Sequence, residues 1–324
     1  MHRRTLLAGL GAGAALAAPS RTRAQSGSVT IVVPFAPGGP TDAVARLMTE
    51  PMGRVLGQAV LVENVGGGGG TIGAARVAQA RPDGGTLLLH NIGMATAATL
   101  YRRLPYDPIG DFEPLGLVAV APMVWMARAD LPGVTDFASM IRFVRERGQG
   151  VNLANAGLGS ASQLCGTLLQ ASLGVAVTAV SFRGSGPIYP EILGGRIDLY
   201  CDQTSSALPQ FGGGRIRPLA VATAARLAQL PEVPTAAEAG LPGFEVAIWH
   251  GVYAPKGTPA AVAQRLNGAL RAAMQDPVLL ARLHELGVAA EPLERVTPEA
   301  HRAHLAAEIA RWRPVLQAAG QFAD

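Results

Sequence analysis

Two glycine-rich segments have the composition of an anion-binding loop. Residues 34–40 (PFAPGGP) follow the apolar run 29–33, residues 157–160 (GLGS) follow the run 151–154, and a predicted helix comes after each segment. Glycine lets a ligand approach the backbone closely, and the free N–H groups of a helix N-terminus attract an anion. One such segment is an ordinary strand–helix turn, but two in one chain favour a cleft that binds a carboxylate between them.

Backbone N–H donors alone can bind a carboxylate with useful affinity. A charge-assisted hydrogen bond contributes about 1.5–3 kcal/mol, so three or four well-aimed N–H groups supply about 8 kcal/mol, which corresponds to micromolar affinity. A carboxylate bound in this way needs no arginine.

Four polar side chains near predicted strand ends are candidates for further ligand contacts. His90 and Asn91 end a predicted buried strand, where a structural histidine is equally consistent with the pattern. Arg183 is either a solvated surface charge or a partner for a second acid group of the ligand. Asp202 would repel a second carboxylate and favour an amine or amide. If Arg183 and Asp202 both line the cleft, they would pair with each other.

Three patterns that would indicate an enzyme are weak in this chain. Residues 68–73 (GGGTIG) match the dinucleotide pattern G-x-G-x-x-G, but a run of consecutive glycines satisfies it easily, and the next strand ends without an acid for a ribose. Ser160 is not part of a G-x-S-x-G nucleophile elbow. His301 and His304 are spaced like metal ligands, but no Cys or carboxylate cluster accompanies them. We therefore expect a binding protein without catalysis, metal or cofactor.

The first 25 residues have the pattern of an export signal. A basic start with Arg3 and Arg4 precedes the apolar stretch 6–18, and Thr22 and Ala24 are small residues at the cleavage positions. The stretch is shorter than the roughly 20 residues that span a bilayer. The arginine pair is compatible with twin-arginine export, and Sec export is equally compatible. The mature chain is therefore expected in the periplasm.

Charge and cysteine content narrow the class of partner. The chain has 27 Lys and Arg against 23 Asp and Glu, but four of the basic residues lie in the first 25 positions, which leaves a balanced remainder. Such a chain has no electrostatic footprint for nucleic acid.

In an oxidising compartment Cys165 and Cys201 could form a disulfide, or they are two separately buried apolar side chains.

The elements that position these residues alternate between strand and helix. The β-branched run 29–33 predicts a strand buried on both faces, and a helix is expected over about 43–56 with Thr41 or Asp42 as its N-cap. Repeated strand–helix units imply an α/β fold with a mainly parallel sheet and helices on both faces.

Length and hydropathy predict two lobes. A chain of 324 residues suits two α/β domains. The apolar stretches 115–127 and 246–253 lie at the candidate boundaries, so the chain is expected to cross twice between the lobes. The predicted domains are residues 26–124 with 250–324, and residues 125–249, with the C-terminal helices near 259–275 and 298–318 returning to the first domain.

Eight short motifs occur in an order that is specific to one protein family. They are residues 34–46 (PFAPGGPTDAVAR), 62–64 (VEN), 81–84 (RPDG), 104–107 (LPYD), 194–198 (GGRID), 230–235 (LPEVPT), 238–240 (EAG) and 254–259 (APKGTP). Each motif is weak alone, but the ordered set covers nearly all of the chain after the export signal. The set resembles the extracytoplasmic solute receptors of tripartite tricarboxylate transporters, the Bug family.

The resemblance implies a two-lobed fold of the type II periplasmic-binding-protein kind, hinged by two crossing strands. It places a first-lobe loop at Phe35, Ala36, Gly38, Gly39, Thr41 and Asp42, and a second-lobe loop at Gly157, Gly159 and Ser160. It also places Asp202 where family members vary their contacts to the far part of the ligand. Gln163 and Arg183 stand where the family often has His and usually has Lys, so the ligand of a relative does not carry over.

The function implied is a periplasmic receptor that captures a small carboxylate and delivers it to the integral membrane subunits of a tripartite transporter. The receptor is expected to be a monomer. Two other classes stay open at this point: the same binder acting as a ligand sensor for a signalling kinase, and an exported hydrolase or dinucleotide-dependent enzyme.

Overall fold

The structure is a computed structural model that describes residues 27–320 and 322–323, so the export signal predicted over residues 1–25 lies outside the described residues. The strands are β1 Val29–Val33, β2 Val60–Asn64, β3 Thr86–Asn91, β4 Phe112–Arg128, β5 Asn152–Asn155, β6 Thr178–Ser181, β7 Leu199–Gln203, β8 Ile216–Val221, β9 Ala247–Pro255 and β10 Ala289–Ala290. The helices are α1 Pro40–Leu56, α2 Thr71–Ala78, α3 Gly93–Leu100, α4 Phe137–Arg147, α5 Ala161–Leu173, α6 Ile188–Leu193, α7 Thr204–Phe211, α8 Ala260–Ala273, α9 Pro277–Glu285 and α10 Pro298–Ala319.

One long strand, β4, belongs to both lobes. Its first part, Phe112 to Pro122, pairs with β9, and its second part, Met123 to Arg128, pairs with β7 and β8. The strand order is β2-β1-β3-β9-β4-β7-β5-β6, with β8 and β10 also paired to β4. We call the side with β1, β2, β3, β9, β10, α1–α3 and α8–α10 lobe 1, and the side with β5–β8 and α4–α7 lobe 2.

Each lobe contains three parallel strands that are completed by antiparallel ones. The strands β2, β1 and β3 are parallel in lobe 1, as are β6, β5 and β7 in lobe 2. Strand β4 enters lobe 2 from lobe 1, and β9 enters lobe 1 from lobe 2. Each runs antiparallel to its neighbours in the lobe that it enters, because no helical crossover precedes it there. The two-lobed α/β architecture is confirmed, with sheets that are mixed in direction. The predicted boundaries, after residues 124 and 249, fall inside β4 and β9.

The C-terminal helices pack on elements of lobe 1. Helix α8 packs on α1 and β4, and α10 packs on α3 and β4. The buried residues of α10 have helical spacing and include the expected inward stripe of His301, Leu305, Ile309, Trp312 and Leu316. Among the described residues, no helix combines the length and the apolar character that crossing a membrane requires.

The two cysteines are buried free thiols. Cys165 lies on α5 and Cys201 on the adjacent strand β7. Of the two alternatives left open by the sequence, the structure has the unbridged one.

The packing of α10 on β9 predicts the effect of a single methyl group. The His301 ring is fully buried over Gly251, and a Cβ atom at Gly251 would lie 2.2 Å from His301 Nε2. We expect Gly251→Ala to lower the free energy of unfolding by about 1–3 kcal/mol, the usual cost of overpacking a core.

A glycine in an open position is the matched control. Gly268 lies inside α8 with no atom near its missing Cβ, so Gly268→Ala should raise the free energy of unfolding by about 0.5–1 kcal/mol. Urea unfolding followed by circular dichroism measures both variants. An unchanged midpoint for Gly251→Ala would show that α10 does not pack on β9 in this way.

Candidate functional site

A cavity with about 270 Å³ of space not filled by atoms lies between the lobes. Lobe 1 lines it with Phe35, Pro40, Thr41 and Asn91, and lobe 2 lines it with Ala156, Ser160, Ala161, Ser162, Ser185, Asp202 and Gln203. These residues lie at or soon after the carboxyl ends of parallel strands, where open α/β sheets bind their ligands.

Two helix N-termini, one from each lobe, meet this cavity. Helix α1 begins at Pro40 and helix α5 begins at Ala161, and both residues are part of the cavity wall. The first backbone N–H groups of a helix have no partner within the helix, and they form the positive end of its dipole. The arrangement can therefore bind an anion from two sides.

The cap of α1 differs from the prediction. The sequence suggested Thr41 or Asp42, but the N-cap is Gly39, without a side-chain cap, and Pro40 is the first helical residue. Proline is favoured there because its fixed φ suits the helix and the N–H group it lacks would have no helical partner. The helix thus starts closer to the cavity than expected, with Thr41 in its first turn.

Asp42 organises the first-lobe loop from inside the protein. Its Oδ2 accepts hydrogen bonds from the Gly38 N–H at 3.0 Å and from Arg46 Nε at 2.9 Å, and its Oδ1 accepts one from Asn64 Nδ2 at 3.0 Å. Burial raises the pKa of Asp42, but these three hydrogen bonds outweigh it, so the pKa lies below its usual value. The carboxylate is ionised and holds the loop in shape.

Two polar side chains lie close to the Thr41 hydroxyl group at the cavity wall. Asn91 Nδ2 donates to Thr41 Oγ1 at 3.1 Å, and His250 Nε2 lies 3.4 Å from the same oxygen. His90 lies behind the wall, where its Nδ1 accepts the Asn91 N–H at 2.8 Å and its ring meets the ring of Phe35 edge-on. Burial lowers the pKa of His90 to about 3 and that of His250 to about 4, so both rings are neutral at physiological pH.

The second-lobe loop is held by hydroxyl groups. Ser160 is the N-cap of α5, with its Oγ accepting the Gln163 N–H, and Ser162 Oγ accepts the Ala156 N–H at 2.9 Å. The Gln163 side chain points away from the cavity and bonds to the Gly159 N–H and to Thr167. The N–H groups of Ala161 and Ser162, the first two of α5, are left for a ligand.

The lobes touch each other directly around the cavity. Thr96 Oγ1 of lobe 1 donates to the Gly159 carbonyl at 2.6 Å, and the Ala36 N–H donates to the Arg183 carbonyl at 3.1 Å. The Tyr101 hydroxyl lies 3.0 Å from the Leu158 carbonyl. The structure is therefore a closed form of the cleft.

The glycine run that suggested a dinucleotide site is part of this contact. Gly69 has a φ of +62°, and a Cβ atom there would lie 1.7 Å from the Leu158 carbonyl oxygen of lobe 2. No residue other than glycine fits that approach. The run allows the lobes to close.

Asp202 is the one ionisable side chain among the described residues that line the cavity. Its Oδ2 accepts from Tyr189 at 2.8 Å and from Ser206 at 2.5 Å, and its Oδ1 accepts from Ser185 at 3.1 Å. Burial raises the pKa of Asp202, and the hydrogen bonds offset part of that increase.

The structure distributes the predicted site residues over three positions. Five of them line the cavity: Phe35, Thr41, Asn91, Ser160 and Asp202. Six others lie where the loops of the two lobes approach each other: Ala36, Gly38, Gly39, Gly157, Gly159 and Arg183. Asp42, His90 and Gln163 lie behind the loops. The Arg183 side chain is exposed outside the wall, so it does not pair with Asp202.

Sequence reasoning missed six wall residues: Pro40, Ala156, Ala161, Ser162, Ser185 and Gln203. Most of them are sequence neighbours of a predicted residue, and that adjacency was the available signal. Ser185 is different, since it lies in a loop after β6 whose distance from β7 depends on the tertiary fold.

The histidines with metal-ligand spacing have structural surroundings. His301 packs on Tyr253 with ring centroids 4.3 Å apart, and His304 packs on Trp249 at 5.0 Å. Within residues 27–320 and 322–323, no group of three His, Cys, Asp or Glu side chains is placed to bind a metal ion.

Comparison with known proteins decides the family. Residues 44–321 match the model of the tripartite tricarboxylate transporter family receptor. The chain belongs to this receptor family. The resemblance drawn from the eight ordered motifs is thereby confirmed.

Solved structures of relatives share the fold of this receptor. The periplasmic binding protein BugD has 42% sequence identity and a TM-score of 0.88, covering 91% of this chain and 98% of BugD. MatC from Rhodopseudomonas palustris with bound malate has 40% identity and a TM-score of 0.85, covering 89% of this chain and 98% of MatC. Rpa4515 from the same organism with adipate has 36% identity and a TM-score of 0.85, covering 91% and 98%.

The lowered pKa of Asp42 predicts a pH-dependent contribution to the stability of the receptor. A carboxyl group whose pKa is lower in the folded state stabilises the fold above its unfolded pKa, near 3.8, and loses that effect as the pH falls through the folded value. We expect Asp42→Asn to lower the free energy of unfolding by about 1–3 kcal/mol at pH 7, with a smaller difference from the wild type below pH 4. Urea unfolding at pH 7, 5 and 3 measures it.

A surface carboxylate provides the control for this experiment. The Asp130 side chain is 83% exposed and pairs with Arg128 at 3.0 Å, so Asp130→Asn should change the stability by less than about 1 kcal/mol. A difference between Asp42→Asn and the wild type that stays constant from pH 7 to pH 3 would contradict the role given to Asp42.

Proposed function

We propose that this protein is an exported, monomeric periplasmic receptor that encloses a small carboxylate between its lobes and presents it to the integral membrane subunits of a tripartite transporter. The observation that carries this proposal is the meeting of two helix N-termini, α1 of lobe 1 and α5 of lobe 2, at one cavity. An anion that bridges them satisfies backbone donors of both lobes at once.

The same geometry gives a closing mechanism. When the lobes are apart, a carboxylate meets the donors of one helix only, and closure adds those of the other helix. A ligand shifts an equilibrium by its difference in affinity for the two states, so the second set of donors is what stabilises the closed form. We take residues 26–124 with 250–324 and residues 125–249 as the moving units, since the boundaries fall in the crossing strands β4 and β9.

The relatives support the ligand class and the location. MatC and Rpa4515 hold malate and adipate, and BugD is a periplasmic binding protein. The export pattern over residues 1–25 and the charge balance of the remaining chain agree with a periplasmic receptor that binds no nucleic acid. Binding without turnover is part of the proposal.

One backbone N–H can be removed without changing a side-chain function. Ala161 is the first residue of α5, and Ser160 before it has the extended conformation (φ −68°, ψ 161°) that a following proline requires. We expect Ala161→Pro to keep the fold and to weaken carboxylate binding by about ten- to a hundredfold, the value of one charge-assisted hydrogen bond. A thermal-shift panel of mono-, di- and tricarboxylates finds the ligand, and calorimetry gives the dissociation constants.

The equivalent position of another helix is the control. Ala260 is the exposed first residue of α8 and follows Pro259, whose ψ of 139° also allows a proline after it. Ala260→Pro should therefore leave the affinity unchanged. If Ala161→Pro and the wild type bind with equal affinity, the α5 N-terminus does not contact the ligand, and the proposed function is contradicted.

A further inference from the structure

The hydrogen bonds around Asp202 fix it as an acceptor. Tyr200 donates its hydroxyl proton to Ser185 Oγ at 2.7 Å, so the single proton of Ser185 is free to point at Asp202 Oδ1. Ser206 and Tyr189 donate to Oδ2. Each of these hydroxyl groups finds a better partner in an ionised carboxylate than in a protonated one.

This carboxylate is buried without a positive partner. Asp202 is 2% exposed, and among residues 27–320 and 322–323 no Lys, Arg or His side chain forms an ion pair with it, in contrast to Asp42 and its partner Arg46. Neutral hydroxyl donors spread the charge but do not cancel it. A buried, unpaired charge is costly, and a cation brought by a ligand would remove that cost.

The neighbouring residue adds a second unsatisfied acceptor. Gln203 also lines the cavity and is 1% exposed, and its Oε1 has no hydrogen-bond partner among the described residues. A buried acceptor without a donor costs about 1–3 kcal/mol. Two adjacent acceptors in one wall match a group that carries several N–H donors.

The cavity is therefore polarised. Its wall presents backbone donors where α1 and α5 begin, and acceptors where β7 ends at Asp202 and Gln203. A second carboxylate at the acceptor end would face a negative charge across a region that excludes water, where repulsion is only weakly screened.

We propose that the end of the cleft formed by Asp202 and Gln203 binds an ammonium group, so that the receptor selects amino carboxylic acids over dicarboxylic acids. This inference rests on the proposed carboxylate receptor and names its substrate class. It separates this chain from MatC and Rpa4515, which hold the diacids malate and adipate.

Matched probes test the charge at the second end of the ligand. Isothermal titration calorimetry compares β-alanine with succinate, 4-aminobutyrate with glutarate, and alanine with lactate, each at pH 7. We expect the ammonium compound to bind at least tenfold more tightly in one or more pairs. Asp202→Asn should reduce that ratio at least tenfold, while Asp130→Asn, which removes an exposed carboxylate of lobe 2, should leave it unchanged.

The possible outcomes separate this inference from the proposed function. If the ammonium compound does not bind more tightly in any of the three pairs, or if the ratio is the same in Asp202→Asn, the ammonium site is wrong and the carboxylate receptor stands. If none of the six compounds binds the wild-type protein, the ammonium site is wrong, and the proposed function is decided separately by the thermal-shift panel of carboxylates. The wild-type ratios need no variant, so a folding defect in Asp202→Asn cannot hide the result.

Discussion

The candidate site depends on backbone N–H groups that lack acceptors: the first N–H groups of α1 and α5 have no hydrogen-bond partners inside their own helices. Both helices begin at the same cavity, so both sets of donors require the same acceptor. The strands β1 and β5 aim the two loops, and the loops end at Pro40 and Ala161. In the proposed function, a small anion satisfies donors of both lobes together, so that binding and closure are coupled.

The surrounding residues keep these donors in position without competing for the anion. Asp42 ties the first loop through Gly38 and Arg46, so its charge is used inside lobe 1. The hydroxyls of Ser160 and Ser162 are bound to backbone N–H groups of their own loop. Asp202 is different, because no Lys, Arg or His side chain of the described residues forms an ion pair with it. The two ends of the cavity therefore differ. The carboxylate of Asp42, behind the start of α1, is paired with Arg46, whereas that of Asp202, at the end of β7, has no ion-pair partner.

The sequence predicts the parts of this site that carry local signals. The β-branched run of β1, the glycines of the two loops and the apolar stretch that became β4 all have one dominant local interpretation, and the structure contains each of them. The sequence does not predict the contacts that depend on how distant segments pack together. Ser185 reaches Asp202 only because the loop after β6 folds against β7. Gln163 was placed at the site by the family resemblance alone, and its side chain instead bonds to the Gly159 N–H and to Thr167 behind the loop.

The claim that one anion bridges two helix starts is tested most directly by the backbone amide resonances of the protein during a ligand titration. Two-dimensional ¹H–¹⁵N NMR resolves the N–H groups of Thr41 and Asp42 in α1 and of Ala161 and Ser162 in α5. If one anion bridges both helices, amide protons from both pairs move downfield together, with the same midpoint, as the carboxylate that binds in the thermal-shift panel is added. Downfield shifts confined to one helix, or different midpoints for the two, would contradict it.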